Sequence, residues 1–488
     1  MGAGFFSGAT IDRMSPRVER ALLALLLAAV ALFHGLTIRP GFEWGGDFAQ
    51  YLEHARNIAE GKSFADIRFI FNPAAPLGPP CTPPGFPLLL APLVKIFGLN
   101  LTVFKIQSIA FFVLAPALAY LLFREHLPPA YGLVLTAVLG FHPYFWGIKD
   151  YILAEFPFLC LLMLYLLVLR RAIEKPHWLW PLAGGVLAYA CYSIRAVALV
   201  LLGVPVAYEL VRLRRITVRS ILTAGTAGAL ILLQHYALQA CGAVQYGLLD
   251  FHPVRMAKNL YYYGFWMTKI FPIAAPAAAV ALFIVVTLVA VLGFAKRVRT
   301  VGFPEIFFLL YFFPILLFTN DQGLRYLVPV IPFYLYYFFL GLHRLAERMP
   351  ERFRLLPLTI LAAAVLVGYL SVYPKVGIGA PIPGGPDPGD AAALFDFVHT
   401  STAPEAVFAF SKARMLALWG ERHSVILAFG APDAQLWTEI EGFGVSYLLI
   451  SPAFPTDQRY YGPFVQRNKE RVELVYRNPS FLLFKIKR

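Results

Sequence analysis

Carboxylates that could carry acid–base chemistry stand at the ends of long apolar runs. Asp47 follows Gly45-Gly46 just after the first run, and Asp150 and Glu155 flank the start of another. A carboxylate held at the boundary between water and lipid can act as a general base. An acid within a membrane helix costs about 2.5–3.5 kcal/mol at mid-span, so it usually faces a cavity. Glu155 is therefore the stronger candidate for a functional acid, because Asp150 could instead pair with Lys149 in water.

Each of these acids also has a structural interpretation. Asp47 stands where a helix N-cap belongs, and Gln50 follows three residues later as in a capping box. Phe48, Leu52, Ala55 and Ala59 recur at helical spacing, which predicts an amphipathic helix lying along the membrane surface. Asp150 and Glu155 would lie about 140° apart around a regular helix, so they could not both face one pocket.

Arginines form a second set of candidates. Arg195 lies between two short apolar runs, so its guanidinium should be recessed below the outer surface. A recessed arginine needs an anion, and a phosphate can accept two of its hydrogen bonds. Arg325, with Tyr326 beside it, and Lys269 are further candidates for binding a phosphate. The alternative is that these cations reach lipid headgroups, and this is the simpler interpretation for Lys269.

The composition requires a membrane protein. Of 488 residues, 59% are hydrophobic and 14% are charged, and the mean hydropathy is +0.65. Soluble domains have roughly 45–50% apolar and about 25% charged residues. The net charge of +14 is assigned to cytoplasmic loops and membrane lipids rather than to nucleic acid, because no motif for binding nucleic acid accompanies it.

The predicted fold is an all-α polytopic membrane domain of about eleven transmembrane helices, followed by a small C-terminal α/β soluble domain. We predict the domains as 1–374, with outer loops at 39–99 and 239–272, and 375–488. Lysine and arginine in alternate loops place the N-terminus in the cytoplasm and the tail, residues 375–488, outside the inner membrane. The predicted helices are 18–38, 100–123, 129–147, 151–169, 177–194, 196–211, 217–238, 273–295, 301–319, 325–342 and 355–373.

The tail alternates helix and strand signals after a linker rich in proline and glycine. Its predicted strands are Ala406–Phe410, Val425–Phe429, Tyr447–Ile450, Val472–Tyr476 and Phe481–Ile486. Cys81 and Cys241 both fall in predicted outer loops, where a disulfide could form. The four cysteines show no spacing typical of a metal site.

Several short motifs occur in order along the chain: Gly46-Asp47 with Tyr51, Pro83 to Leu88, Ala154-Glu155-Phe156, Ser193 to Ala196, Arg325 to Pro329, and the final Phe481 to Ile486. Their order and their common predicted side resemble the GT-C membrane glycosyltransferases. The most similar branch contains the protein O-mannosyltransferases and the bacterial lipid A aminoarabinose transferases. Each motif alone is weak, and the resemblance rests on the set.

The resemblance implies an inverting glycosyltransferase that uses a polyprenyl-phosphate sugar on the outer side of the membrane. Asp47 would be the general base, and Arg195 and Arg325 would hold the lipid phosphate as it leaves. Glu155 would orient the acceptor or the sugar. The protein O-mannosyltransferases have Asp-Glu in the first loop, whereas Asp47 here precedes Phe48, which favours a glycan or lipid acceptor over a protein. No DxD motif is present, so no metal or other cofactor is required, and a divalent metal is possible but not indicated.

Two other classes of protein are alternatives to this one. A multi-pass transporter or flippase of lipid-linked sugars would keep ionisable groups near the bilayer midplane, on broken and often repeated helices. A glycan ligase or polymerase of another architecture would be expected to have its long outer loop late in the chain. The tail could also serve as a docking module for a partner protein.

Overall fold

The computed structural model describes residues 14–175, 177–238, 250–271, 273, 275–319, 323–375 and 377–487. These residues form two compact units. The first unit contains the described residues of Met1–Ile38, Lys105–Ala237 and Tyr246–Gly379, and the second those of Arg39–Phe104, Leu238–Gln245 and Ala380–Arg488. The first outer loop, residues 39–99, thus belongs with the tail, whereas the sequence analysis assigned it to the membrane domain.

The first unit is helical, and every predicted membrane segment contains helix. The segment predicted at 129–147 is interrupted before Pro143, because proline cannot continue a helix by donating a backbone hydrogen bond. The segment predicted at 196–211 begins as a 3-10 helix, Ala196–Leu202. The α-helices are Pro16–Leu36, Leu101–Phe123, Pro129–Gly140, Pro143–Ile148, Glu155–Glu174, Leu179–Ile194, Gly203–Leu213, Val218–Ala237, Pro253–Thr268, Pro276–Val298, Phe303–Leu317, Ile331–Ala346 and Leu356–Val372.

Six helical segments in the described part of the chain are long and apolar enough to cross a membrane. Three shorter apolar helices accompany them, among them Leu179–Ile194 and Phe303–Leu317. The fold class, mainly helical with a small strand-containing C-terminal region, is confirmed. The number of eleven spans stays a prediction.

In the second unit, the helix that begins at Asp47 is part of the core. This helix, Asp47–Glu60, is called the loop helix below, and it packs against Gly85–Phe97 and against Ala413–Gly420, the tail helix. Its buried residues include polar ones, Gln50, Glu53 and His54. The prediction of an amphipathic helix resting on the membrane surface is therefore wrong, because side chains on several of its faces are covered by protein.

The start of the loop helix also differs from the prediction. Gly46 is the N-cap, with φ of 91°, and no side chain caps the helix. Asp47 is the first helical residue rather than the cap. Gln50 does not complete a capping box, since its Nε2 donates to the carbonyl oxygens of Pro79 and Pro80 at 3.1 and 2.9 Å.

One six-stranded sheet forms the centre of the second unit. Its strands are β1 (Phe69–Ile70), β2 (Val407–Ala409), β3 (His423–Val425), β4 (Val445–Ile450), β5 (Val472–Arg477) and β6 (Leu482–Ile486). They lie in the order β1-β3-β2-β4-β6-β5. The first four are parallel to one another, and β6 is antiparallel to both β4 and β5. The first outer loop supplies β1, in register Phe69 with Ser424.

The strand predicted at 425–429 ends earlier than expected. Strand β3 stops at Val425, and side chains then take over the hydrogen bonds that a neighbouring strand would make. The amide of Leu427 donates to Tyr461 Oη at 2.9 Å, and the amide of Ala428 donates to Glu439 Oε2 at 2.9 Å. Since these backbone groups are satisfied, the apolar run can leave the sheet while Leu427 stays buried.

Candidate functional site

Glu155, Arg195 and Arg325 meet in the first unit and are called the arginine cluster below. Arg195 Nη1 lies 2.7 Å from Glu155 Oε1, and Arg325 Nε lies 2.8 Å from the same oxygen. The Glu155 side chain is 1% exposed, whereas those of Arg195 and Arg325 are 13% and 27% exposed. The two cations therefore lie between a buried carboxylate and solvent, an arrangement suited to an incoming anion.

Two helix termini and one 3-10 turn bring the arginine cluster together. Glu155 opens the helix Glu155–Glu174, where the helix dipole favours a carboxylate. Arg195 is the extended residue between Leu179–Ile194 and the following 3-10 helix, with φ of −144° and ψ of 120°. Arg325 lies in the 3-10 turn Gly323–Leu327.

A tyrosine ring packs against Arg195. The guanidinium of Arg195 stacks over the ring of Tyr326, at 5.3 Å from its centroid. Tyr311 Oη donates to the carbonyl oxygen of Tyr326 at 3.1 Å, which holds the turn in place. Tyr326 thus contributes its ring to the cluster, and its role beside a phosphate stays a prediction.

The chain between Asp150 and Glu155 is not a regular helix. Ile152 has φ of 54°, a left-handed conformation that is strained for a β-branched residue. Its side chain is 1% exposed, so packing holds it there. Strained backbone of this kind is concentrated at functional sites. Here the non-helical conformation places the two acids in different environments.

Asp150 pairs with Lys149, which was one of its two interpretations, but the pair is not in water. Both side chains are fully buried, and Lys149 Nζ lies 2.8 and 2.9 Å from the two Asp150 oxygens. The same ammonium donates to the carbonyl oxygen of Thr37 at 2.7 Å, and Trp146 Nε1 donates to Thr37 Oγ1. These contacts give Asp150 the position of a structural acid that fixes the end of the first helix.

Lys269 is not brought to the arginine cluster. It is exposed at the end of Pro253–Thr268, and its Nζ lies 4.9 Å from the ring centroid of Phe265. No contact between described residues joins it to Glu155, Arg195 or Arg325. Whether Lys269 binds a phosphate or contacts lipid headgroups stays a prediction.

In the second unit, Asp47 is bound by an arginine that the sequence analysis missed. Arg414 Nη1 donates to Asp47 Oδ1 at 3.0 Å, with the arginine side chain 7% and the aspartate side chain 33% exposed. Burial lowers the pKa of the Arg414 guanidinium, against the raising effects of Asp47 and Tyr51. The two residues are 367 positions apart, so no local signal in the sequence could have paired them.

Cysteines and possible metal ligands complete the inventory. Cys81 is in a disulfide bond, and Cys160 and Cys191 are free and buried, while Cys241 lies outside the described residues. Within the described ranges, no three or more His, Cys, Asp or Glu side chains are grouped to hold a metal ion. The expectation that no cofactor is required stays a prediction.

Comparison with protein families and solved structures identifies the fold. The family described as dolichyl-phosphate-mannose-protein mannosyltransferase matches residues 81–236. ArnT from Cupriavidus metallidurans, bound to undecaprenyl phosphate, is 11% identical with a TM-score of 0.58, over 95% of this chain and 97% of that one. The chain has the GT-C glycosyltransferase fold.

Other solved structures lead to the same fold. The oligosaccharyltransferase AglB from Archaeoglobus fulgidus, in complex with an inhibitory peptide and a dolichol-phosphate, is 13% identical with a TM-score of 0.58, over 88% of this chain and 69% of that one. A mutant of the mycobacterial arabinofuranosyltransferase AftD is 12% identical with a TM-score of 0.55, over 96% and 42%. No curated protein matches in sequence. The recognition of the GT-C superfamily and the expected enzyme class, a glycosyltransferase, are confirmed.

Proposed function

We propose that this protein transfers a sugar from a polyprenyl-phosphate donor to a glycan, lipid or protein acceptor at the outer face of the membrane, with inversion at the anomeric carbon. The observation that carries the proposal is the arginine cluster, in which two partly exposed guanidinium groups share one buried carboxylate in a chain with the GT-C fold. The names of two structures with this fold include a polyprenyl or dolichol phosphate, which supports this donor class.

The arginine cluster is assigned to the leaving phosphate. As the bond between the anomeric carbon and the phosphate oxygen breaks, negative charge grows on the phosphate, and Arg195 and Arg325 stabilise it. Glu155 Oε1 holds both guanidinium groups in orientation. Its other oxygen, Oε2, is buried without a hydrogen bond among the described residues, so it can accept one from a sugar hydroxyl.

Asp47 is assigned the role of general base. In this mechanism the acceptor hydroxyl loses its proton to the Asp47 carboxylate while its oxygen bonds to the anomeric carbon from the face opposite the phosphate. The products are the glycosylated acceptor and the polyprenyl phosphate. Asp47 is one-third exposed, which is compatible with an acceptor reaching it.

The second unit supports the proposed side of the membrane. Cys81 of the first outer loop is in a disulfide bond, and disulfides persist mainly in oxidising compartments. Together with the basic inner loops, this supports an inner-membrane protein with a cytoplasmic N-terminus and an extracytoplasmic tail. The flippase alternative is not favoured, because the relatives with this fold are transferases.

The test separates donor binding from turnover. Undecaprenyl phosphate is titrated against the purified protein, and a panel of radiolabelled undecaprenyl-phosphate sugars is tested for transfer to the membrane lipid and glycan fraction. Arg195→Gln and Arg325→Gln should each weaken binding of undecaprenyl phosphate about tenfold or more, which corresponds to about 1.4 kcal/mol. Asp47→Asn should bind the lipid normally and lose transfer by about 10²–10⁴-fold.

Arg297→Gln is the matched control. Arg297 is also a buried arginine paired with a buried glutamate, Glu305, at 3.1 Å in the first unit. This variant should lose stability and keep its affinity for undecaprenyl phosphate. Unchanged lipid affinity in both cluster variants, or absence of transfer from every sugar of the panel by the wild-type protein, would refute the proposed function.

A further inference from the structure

The guanidinium of Arg414 connects three parts of the first outer loop. Besides Asp47, it contacts the carbonyl oxygen of Leu77, to which Nη2 donates at 2.6 Å, and it lies over the ring of Phe69 in β1, at 5.0 Å from the centroid. Arg414 as a whole is 6% exposed. Its side chain therefore fixes the start of the loop helix relative to β1 and to the turn at Leu77.

Two glycines lie against this arginine, and one of them, Gly78, makes room for it. A Cβ atom at Gly78 would lie 1.9 Å from Arg414 Nη2, and one at Gly46 would lie 3.5 Å from the arginine Cβ. Both glycines have left-handed φ angles, of 89° and 91°. The backbone of the loop thus closes around the guanidinium, and a larger residue at Gly78 would displace it.

A second contact anchors the residues just before Asp47. Trp44 is 7% exposed, and its ring packs against three phenylalanines of the tail, with centroid distances between 5.3 and 6.2 Å: Phe395, Phe454 and Phe481. Lys412 lies over the Phe454 ring at 5.1 Å. Burial lowers the pKa of the Lys412 ammonium, against the raising effects of Glu43 and Asp457.

Lys412 and Arg414 lie at the edge of the sheet where its strand order changes direction. From β2 the chain passes to β3 on one side and then to β4 on the other. In sheets of parallel strands, ligands bind beyond the carboxyl ends of the strands where the chain changes direction in this way. Lys412 and Arg414 directly follow β2, so this edge of the tail holds the chain's own Glu43–Asp47 segment.

We propose that Arg414 is a positioning residue for Asp47, and that the tail's contribution to sugar transfer is to hold this carboxylate ionised and correctly oriented. The inference rests on the proposed role of Asp47 as the base. An adjacent guanidinium favours the charged form of a carboxylate, and a fixed side chain keeps the reacting atoms in line. In this role the tail acts on the proposed base itself, rather than serving as a docking module for a partner protein.

The first test measures the protonation of Asp47 in the absence of any substrate. A water-soluble carbodiimide modifies protonated carboxyl groups, and mass spectrometry of the full-length protein gives the extent of modification at Asp47 at each pH. In Arg414→Gln, modification should persist to a pH about one unit higher than in the wild type, the size of shift expected from the loss of one nearby charge. Arg422→Gln is the control, because Arg422 is also 6% exposed, but its hydrogen bonds to described residues lie within the tail, to His399, Thr402 and Glu421.

The second test keeps the positive charge of Arg414 but displaces its guanidinium from Asp47. Gly78→Ala should displace the guanidinium and reduce transfer of the panel's active sugar at least tenfold, chiefly in kcat, with normal binding of undecaprenyl phosphate. Gly41→Ala is its control, because Gly41 has a similar φ of 82° but no atom within 4 Å of an added Cβ. This variant should remain as active as the wild type.

The outcomes distinguish this inference from the proposed function. The positioning role is overturned if the pH dependence of Asp47 modification in Arg414→Gln matches that of the wild type. It is also overturned if Gly78→Ala and Gly41→Ala are equally active. A shifted modification profile in a protein that transfers no sugar of the panel supports the Arg414–Asp47 coupling and counts against the proposed function alone.

Discussion

At the scale of single residues, the three candidate acids differ in their surroundings. Glu155 is buried against two arginines, Asp150 is buried against one lysine, and Asp47 is partly exposed beside an arginine. A buried acid with a fully buried partner is poorly placed to meet a substrate. The burial of Asp150 with Lys149 therefore favours a structural role for that pair, whereas Glu155 and Asp47 each have a partner that is suited to chemistry.

Substitution of the Lys149–Asp150 pair tests the structural role of Asp150. Lys149→Met alone should destabilise the protein by about 3–5 kcal/mol, because it removes one member of a buried ion pair. The double variant Lys149→Met/Asp150→Asn should recover most of this loss and should keep transfer activity. Thermal unfolding in detergent and the transfer assay give the two readouts. A stable double variant without activity would return Asp150 to the catalytic candidates.

At the scale of elements, the loop helix shows how the first outer loop joins the tail. Its buried polar residues bond to the loop itself: Glu53 Oε1 accepts the amide hydrogen of Arg68 at 2.8 Å, and His54 Nδ1 lies 2.7 Å from the carbonyl oxygen of Phe64. These bonds fold the loop back so that β1 can pair with β3. The pattern of Phe48, Leu52 and Ala55 predicted the helix but not what covers it, because periodicity reports only that one face is apolar.

The buried Glu53 gives the second unit a predictable response to pH. Burial raises the pKa of its carboxyl from 4.5 to about 7, against the lowering effects of the Arg68 amide, Arg56 and Arg68. The folded state therefore holds this proton more tightly than the unfolded state, and stability falls as pH rises from about 4.5 to about 7. Glu53→Gln removes this dependence, so its stability relative to the wild type should increase across that window, by at most about 1.4 kcal/mol per pH unit.

Measurement of unfolding for both proteins between pH 4 and 8 checks this prediction. Burial also lowers the pKa of His54 to about 4, which gives stability that increases with pH up to about 6.5. That contribution is present in both proteins and cancels in the difference. A difference that is constant with pH would contradict the assignment of the proton to Glu53.

At the scale of the whole molecule, the sheet of the second unit constrains the topology. Strand β1 belongs to the first outer loop and pairs with β3 of the tail, and two segments outside a bilayer can pair only on the same side of it. The chain must therefore cross the membrane an even number of times between residues 97 and 380. The ten helices predicted between the loop and the tail satisfy this condition.

Labelling of single cysteines from outside intact cells tests the topology. Lys62→Cys in the loop and Glu441→Cys in the tail occupy exposed positions, with the native side chains 56% and 72% exposed. Both should react with an impermeant maleimide. Arg299→Cys, in a predicted inner loop, should react only after permeabilisation. Reaction of the loop and tail cysteines from opposite sides would rule out the pairing of β1 with β3.

The sequence alone determined the helices, the α/β character of the tail and the GT-C resemblance. These follow from hydrophobic run length, from proline and glycine positions and from short motifs, all of which are local in the chain. It also identified Glu155, Arg195 and Arg325 as candidates, because placing a charged side chain beside a membrane helix costs free energy and such residues are therefore rare.

Only the tertiary structure decided which of these groups meet. The pairing of Asp47 with Arg414, the burial of Asp150 with Lys149, the separation of Lys269 from the arginine cluster and the place of β1 in the tail's sheet all depend on how the chain packs. Strand pairing and ion pairing between residues hundreds of positions apart leave no periodic signal, since any exposed loop of suitable composition could have supplied the same partners.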